Sequence, residues 1–255
     1  MKTDSFDYKY RFAGQVDIGK RRSSNQDEIL LNPELGFFGV SDGMGGLENG
    51  DAASAFVKKG MPMLLNKCME DWKETQPTAE QAGSQLRECA GVLSDHLFME
   101  GNTERFFSFG ATLAGALLYG DKAIFVCLGD SRGYVLRKYK RKPEQITKDM
   151  NLAGVMVEAG EMTKEEAAHS PLSSKLTAFV GMTAPATPEI FVTQVRPGDR
   201  ILLCSDGLYG MVPEREIARI LRSSRSPERV CGRLINKANE NGGRDNISAV
   251  YIKIG

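Results

Sequence analysis

Short apolar runs and amphipathic stretches follow one another along the 255-residue chain. Runs of strand character lie at residues 12–17, 28–32 and 36–41. Apolar residues then recur every three or four positions, from residue 51 to about 72 and from 82 to 97, which predicts two helices. The chain therefore begins with a group of strands and continues with a helix pair.

The remaining sequence repeats this grouping. We predict further strands at residues 111–119, 122–128, 133–138, 189–195, 200–205 and 247–254. Two helices are predicted before the last strand, at residues 214–221 and 227–240. Because the strands come in groups and the helices in pairs, without strict alternation, the pattern favours an α+β fold with a mainly antiparallel sheet.

Residues 149–188 differ from the rest because they combine short helical pieces with loops rich in Ser, Thr and Pro. They contain few large apolar residues, so we interpret them as an excursion from the core rather than a separate domain. We find no internal repeat, low-complexity tract or linker. The sequence predicts one domain that spans residues 1–255.

Composition excludes several kinds of site and partner. The chain has 33 Lys and Arg, 33 Asp and Glu, and only two histidines, His96 and His169. A net charge of +0 gives no overall attraction to nucleic acid or to anionic membranes. Two histidines cannot form a three-histidine zinc site.

Five scattered cysteines without a CxxC pair indicate free thiols in a reducing compartment. No apolar run reaches membrane-spanning length, so we expect a soluble cytoplasmic protein.

Four segments place an aspartate and a glycine beside an apolar strand. The aspartates are Asp42, Asp130, Asp206 and Asp245. Each segment alone is typical of a turn. Four of them at strand ends along one sheet edge would bring carboxylates together, and these would repel one another unless a cation offset them. Oxygen ligands favour Mg²⁺ or Mn²⁺ over zinc, and the glycines beside Asp42 would let a backbone carbonyl approach the same ion.

A basic cluster, Lys20, Arg21 and Arg22, follows the first strand. Such a cluster is usually a solvated turn, but an arginine here could also bind phosphate through two parallel hydrogen bonds. The residue types alone do not choose between Arg21 and Arg22.

Together these segments resemble the PPM-type, metal-dependent protein phosphatases, the type 2C serine/threonine class, in their compact bacterial form. Any one motif is weak, but six in order with the family's spacing are specific. The matching segments are residues 17–27, 42–46 with 50–54, 109–112, 129–132, 205–207 and 243–246.

The resemblance implies a central β-sandwich of two antiparallel sheets flanked by pairs of helices, with Mn²⁺ or Mg²⁺ ions at one edge. It implies two ions, and a third, weaker one as in bacterial relatives. It also implies that residues 149–188 form a mobile flap. The implied metal ligands are Asp42, which bridges two ions, the Gly43 carbonyl, Asp206, Asp245, Asp27 through water, and Asp130 at the third ion.

The resemblance further implies an enzyme that hydrolyses phosphoserine and phosphothreonine by direct attack of a metal-activated water. Arg22 and Asp42 are the implied catalytic residues, and Arg22 is the implied phosphate-binding arginine. The implied substrates are signalling proteins phosphorylated by a serine/threonine kinase, and we expect a monomer that binds neither nucleic acid nor membrane.

The chain departs from the family pattern at several positions. Gln26 replaces a frequent Glu, Met44 stands where eukaryotic relatives have a histidine proposed as general acid, and Met150 also stands where a histidine is usual. Residues 169–174 lack an arginine that often follows the proline. By the resemblance, the change at Gln26 bears on binding of the second metal ion. The changes in residues 149–188 bear on the behaviour of the flap and on substrate preference.

Two other functions compete with this interpretation. Residues 39–43 match the G-x-S-x-G motif of serine hydrolases, with Ser41 as nucleophile and His169 as the remaining candidate base. A pseudophosphatase would keep the fold only to bind partners, although Asp42, Asp206 and Asp245 are all present.

Overall fold

Two antiparallel sheets form the centre of the protein in the computed structural model, which describes residues 6–45, 49–101, 109–182 and 186–255. Gly46 of the predicted metal motif and residues 183–185 of the predicted flap lie outside the described residues. All neighbouring strands in the described ranges pair in antiparallel fashion. The α+β class with antiparallel sheets is therefore confirmed.

The first sheet contains the first and the last strand of the described chain, and these two strands pair over their whole length. In spatial order it contains β1 (Tyr10–Asp17), β11 (Ile247–Ile254), β10 (Arg200–Cys204), β7 (Arg132–Leu136) and β8 (Glu144–Gln145).

The second sheet is built around a central hairpin of apolar strands. In spatial order it contains β2 (Asp27–Asn32), β3 (Phe37–Met44), β5 (Leu113–Tyr119), β6 (Lys122–Leu128) and β9 (Glu189–Gln194). A two-residue strand, β4 (Gly110–Ala111), pairs with the end of β3. The predicted strand at 111–119 is thus interrupted at Thr112.

Alternate residues of the strands face the space between the sheets. Phe38 and Val40 of β3 and Val250 and Ile252 of β11 belong to one fully buried cluster there. Their chain neighbours, such as Phe37, face the helices instead. This period of two gives each sheet two apolar faces, and both are covered.

Helix pairs cover the outer face of each sheet. On the second sheet lie α1 (Gly50–Glu70) and α3 (Ala79–Gly101), linked by the short α2 (Trp72–Thr75). On the first sheet lie α7 (Glu214–Leu221) and α8 (Pro227–Glu240). The result is the predicted four-layer α-β-β-α arrangement. Within the described residues, no helix has both the length and the apolar character needed to cross a membrane.

The predicted excursion contains two short helices, α4 (Leu152–Glu158) and α5 (Lys164–Ala167), and a 3₁₀ turn at Pro171–Ser174. Thr163 caps α5, and Glu166 bonds back to the Thr163 backbone. A further short helix, α6 (Asp206–Tyr209), follows β10 directly, where the sequence predicted only a turn.

Candidate active site

The four aspartates of the Asp/Gly segments come from both sheets, which corrects the expectation of a single sheet edge. Asp42 lies within β3, and Asp130 follows β6, both on the second sheet. Asp206 begins α6 after β10, and Asp245 precedes β11, both on the first sheet. They therefore meet across the sandwich. Alternation of apolar and polar residues shows which residues share a face of a strand. It does not show to which sheet a strand belongs or how the sheets pack together.

Two glycines let backbone segments approach one another closely at this point. A Cβ atom on Gly43 would lie 1.8 Å from the Gly50 carbonyl oxygen at the start of α1. A Cβ atom on Gly207 would lie 1.9 Å from the carbonyl oxygen of Asn246. Both sites exclude any side chain, so glycine fixes the backbone that carries the neighbouring aspartates.

We use the name acidic centre for Asp27, Asp42, Asp206 and Asp245. Burial, reinforced by the charges of Asp206 and Asp245 and opposed by the hydrogen bond from Ser205, raises the pKa of Asp27 to about 7. Burial and the charge of Asp245 raise the pKa of Asp206 to about 6. Burial and the charges of Asp27 and Asp206 raise the pKa of Asp42 well above its usual value. The carboxyl groups therefore lie close enough to repel one another when ionised.

Two oxygens of the acidic centre are buried without a hydrogen-bond partner among the described residues: Oδ1 of Asp27 and Oδ1 of Asp206. The other oxygen of Asp27 accepts a 2.6 Å hydrogen bond from the Ser205 hydroxyl. Mutually repelling carboxylates with free oxygen atoms suit a hard divalent cation, which would offset the charge and use the unpaired oxygens. The residues present thus fit the metal ions that the resemblance implies.

Arg22 is the member of the basic cluster that contacts the acidic centre. Its guanidinium donates to Oδ2 of Asp245 at 2.7 Å, and half of its side chain stays exposed. The hydrogen bond to Asp245 raises the pKa of Arg22. Burial opposes this shift, and the charges of Asp245, Asp42 and Asp206 add to it. Within the described residues, no three acidic, histidine or cysteine side chains form an assembled metal site. Asp245 pairs with Arg22 instead.

Asp130 belongs to a neighbouring network that the sequence did not predict. Asn151 donates to its carboxylate at 3.3 Å, and the Tyr209 hydroxyl donates to its backbone carbonyl at 3.1 Å. Burial and the charges of Asp206 and Asp149 raise the pKa of Asp130 to about 7.

Arg132 extends this network to the start of the predicted flap. It donates two hydrogen bonds to Asp149, at 2.9 and 2.6 Å, and its guanidinium carbon lies 3.6 Å from the centre of the Tyr209 ring. No local pattern marks Arg132 and Asp149 as partners, because they are 17 positions apart.

Ser41 and His169 do not form a nucleophile and base. Ser41 is fully buried, and its hydroxyl donates to the Thr112 carbonyl at 2.7 Å. Nδ1 of His169 instead lies 2.9 Å from the Glu165 carbonyl oxygen. The structure therefore gives no support to the serine hydrolase interpretation.

An open cavity of about 620 Å³ lies between the predicted flap and the loop that carries Asp245. His169, Ser170 and Ser173 line one side, and Asn241 and Arg244 line the other. Its walls combine polar side chains with apolar ones such as Met211, and Arg244 directly precedes Asp245, the residue that pairs with Arg22.

Comparison with known proteins gives a consistent result. The family model described as protein phosphatase 2C matches residues 19–245. The serine/threonine phosphatase stp of Listeria monocytogenes is 33% identical over 245 residues, which cover 94% of each chain.

Solved structures show the same similarity in three dimensions. The serine/threonine phosphatase of S. agalactiae superposes with a TM-score of 0.81 at 29% identity, over 97% of this chain and 100% of that one. The catalytic domain of the phosphatase PstP, solved in complex with two manganese ions, superposes with a TM-score of 0.72 at 28% identity, over 96% of this chain and 98% of that one.

Proposed function

The chain belongs to the protein phosphatase 2C family and is a serine/threonine protein phosphatase, and we propose that the acidic centre binds the metal ions on which its hydrolysis depends. The observation that supports this is the set of mutually repelling carboxylates of Asp27, which is buried, and of Asp42 and Asp206, which are partly exposed, together with a buried, unpaired oxygen on Asp27 and another on Asp206. The proposed ligands are Asp27, Asp42, the Gly43 carbonyl, Asp206, Asp245 and, for a third ion, Asp130.

The proposed ions are Mn²⁺ or Mg²⁺, two in number with a third at Asp130. When bound, such ions offset the carboxylate charge and lower the pKa of water, which supplies a nucleophile at neutral pH. Support for manganese comes from the PstP structure that contains two manganese ions.

The protein's own groups position the substrate and the ligands. We propose that Arg22 binds the phosphoryl oxygens of the substrate, since its guanidinium is half exposed beside Asp42 and Asp245. Arginine neutralises the charge on these oxygens through two parallel hydrogen bonds. The hydroxyl of Ser205 holds Asp27 in place, and Asn151 does the same for Asp130.

We propose that residues 1–255 act as a single domain in which residues 149–188 form a flap beside the substrate. The cavity between His169 and Arg244 supports this, because it lies next to the loop that carries Asp245. A phosphopeptide bound at Arg22 would therefore extend towards it.

The proposed substrates are signalling proteins that a serine/threonine kinase has phosphorylated. We propose a cytoplasmic monomer that binds neither nucleic acid nor membrane. All five cysteines are free thiols, which is typical of proteins in a reducing compartment. A balanced net charge also gives no general attraction to polyanions.

The pseudophosphatase alternative has no specific observation in its favour. The ligands proposed for catalysis, such as Asp42 and Asp206, are all present. Hydrolysis therefore remains the better interpretation of the acidic centre.

The deciding experiment measures phosphate release from a phosphothreonine peptide with Mn²⁺, with Mg²⁺ and with EDTA. We expect no turnover in EDTA, and recovery when Mn²⁺ is added in excess. Asp42→Ala and Asp206→Ala should lose turnover while their circular dichroism spectra match that of the wild type. Full turnover in EDTA would rule out the metal assignment, and no turnover with any ion would favour the pseudophosphatase.

A further inference from the structure

Two cysteine thiols meet between the helices that cover the second sheet. Cys68 lies near the end of α1, Cys89 lies in the middle of α3, and their Sγ atoms are 3.0 Å apart. A disulfide requires an S–S distance of about 2.05 Å, so the sulfurs need to approach by about 1 Å. α1 and α3 already pack against each other along the same apolar core, so this small approach needs no change of fold.

The two thiols differ in their access to solvent. Cys68 is half-buried, whereas only 3% of Cys89 is exposed. Burial and the adjacent Cys68 raise the pKa of the Cys89 thiol. An oxidant in solution therefore reaches the sulfur of Cys68 first, and Cys89 is placed behind it as the second thiol.

The other three cysteines have no such partner. Cys127, Cys204 and Cys231 are buried. The sulfur of Cys127 contacts backbone carbonyls, including that of Gly129, and the sulfur of Cys231 contacts the carbonyl of Ala13. Among the described residues, Cys68 and Cys89 alone form a pair of adjacent thiols.

We propose that Cys68 and Cys89 form an oxidation site for peroxides. The Cys68 thiol releases its proton, and the thiolate attacks one peroxide oxygen. The O–O bond breaks, Cys68 becomes a sulfenic acid, and the departing hydroxide takes up the released proton and leaves as water. The Cys89 sulfur then attacks the Cys68 sulfur and displaces its hydroxyl group as a second water. In total, two thiols and one hydrogen peroxide give one disulfide and two waters, and the two sulfurs supply the two electrons that reduce the peroxide.

The disulfide would link α1 covalently to α3 across the connection that contains α2. Its cysteines are 21 positions apart, so the link restricts the unfolded chain. We expect the oxidised protein to melt roughly 5–10 °C higher than the reduced protein. A small-molecule dithiol would reverse the change.

The test exposes the folded, full-length protein to hydrogen peroxide, alkylates the remaining thiols and analyses a non-reduced tryptic digest by mass spectrometry. We expect a linked peptide pair containing Cys68 and Cys89, lighter than the two free peptides by two hydrogens. Melting curves before and after treatment, and after dithiothreitol, should show the shift and its reversal.

Three variants separate this chemistry from general oxidation. Cys89→Ser should leave a sulfenic acid at Cys68 that dimedone traps, and Cys68→Ser should leave Cys89 reduced. Cys231→Ser removes a buried thiol that has no second thiol beside it, so this variant should form the Cys68–Cys89 link as the wild type does. Circular dichroism checks that each variant is folded.

Four results would overturn the proposal. They are reduced Cys68 and Cys89 after treatment, a sulfinic or sulfonic acid at Cys68 without a link, a link between two chains, and a link that forms only in denaturant.

Discussion

At the scale of single residues, the basic cluster shows what sequence reasoning can and cannot resolve. Lys20, Arg21 and Arg22 are all cationic residues of one turn, so residue type alone does not choose between the two arginines, and the family motif selects Arg22. The structure places Arg22 against Asp245 at 2.7 Å. That contact depends on a residue 223 positions away, so the local sequence could not supply it.

This geometry predicts different effects for the two arginines. Arg22→Ala should raise the KM for a phosphothreonine peptide roughly 10- to 100-fold, because a charge-assisted hydrogen bond contributes about 1.5–3 kcal/mol. Arg22→Lys should recover only part of the loss, since lysine cannot bind a phosphoryl group through two parallel hydrogen bonds. Steady-state kinetics at saturating Mn²⁺ provide the measurement.

Arg21→Ala is the matched control, because it removes the same charge from the same turn. We expect its KM to stay within about twofold of the wild type, as exposed charges contribute little individually. Equal damage from both alanine variants would show that the turn as a whole, and not Arg22, binds phosphate.

At the scale of elements, the sequence predicts best where local signals are complete. The helix at Pro227–Glu240 begins at a Ser-Pro pair in which Ser226 caps the helix, and its predicted bounds are confirmed. The final strand, Ile247–Ile254, is likewise confirmed at its predicted bounds. The two-residue β8 and the four-residue α6 were not predicted, because neither is long enough to show a period.

Strand pairing also creates a feature that the linear sequence hides. Arg11 of β1 pairs with Lys253 of β11, and Lys253 pairs with Arg200 of β10. Three cations therefore lie side by side on one face of the sheet. Burial and the charges of Arg200 and Arg11 lower the pKa of Lys253. No ion pair found among the described residues includes any of the three.

Like charges on directly opposed residues destabilise a sheet, so Lys253→Glu should stabilise the protein. We expect a gain of roughly 0.5–1 kcal/mol in the free energy of unfolding, because the new carboxylate would lie between two arginines. Urea denaturation at low salt measures it.

Lys253→Gln separates loss of repulsion from gain of attraction, and should give about half of the effect. The gain of Lys253→Glu should shrink at about 1 M salt, where the Debye length is about 3 Å. A lower stability of Lys253→Glu at low salt would contradict this account of the row.

At the scale of the whole molecule, a net charge of +0 conceals a separation of charge. The strands that carry Arg200 and Lys253 at one end lead to Asp206 and Asp245 at the other. The cations Arg11, Lys253 and Arg200 therefore do not neutralise the acidic centre. Among nearby cations, Arg22 bonds to it directly. Sequence reasoning predicted the dense acidic centre, but could not predict the row, which depends on strand register.

Without metal ions, repulsion between the carboxylates of the acidic centre should therefore lower the stability of the protein, and bound ions should remove this repulsion. Mn²⁺ at a free concentration of about 100 times its Kd should add about 2.7 kcal/mol to the stability, or roughly 5–10 °C in Tm. Asp206→Asn removes one of the repelling carboxylates at constant shape. In EDTA, we expect this variant to melt at or above the wild-type Tm, and to gain much less from Mn²⁺.

Asp199 provides the control, because it is a buried aspartate whose carboxylate is paired with Arg137 at 3.3 Å and accepts from the Lys138 backbone. Asp199→Asn should lower the Tm in EDTA, since it weakens a satisfied buried interaction, yet keep the full Mn²⁺ shift. Thermal melts of the three proteins with EDTA and with Mn²⁺ distinguish these behaviours. An Asp206→Asn variant that loses stability in EDTA and gains as much from Mn²⁺ as the wild type would mean that Asp206 serves the fold and not the ions.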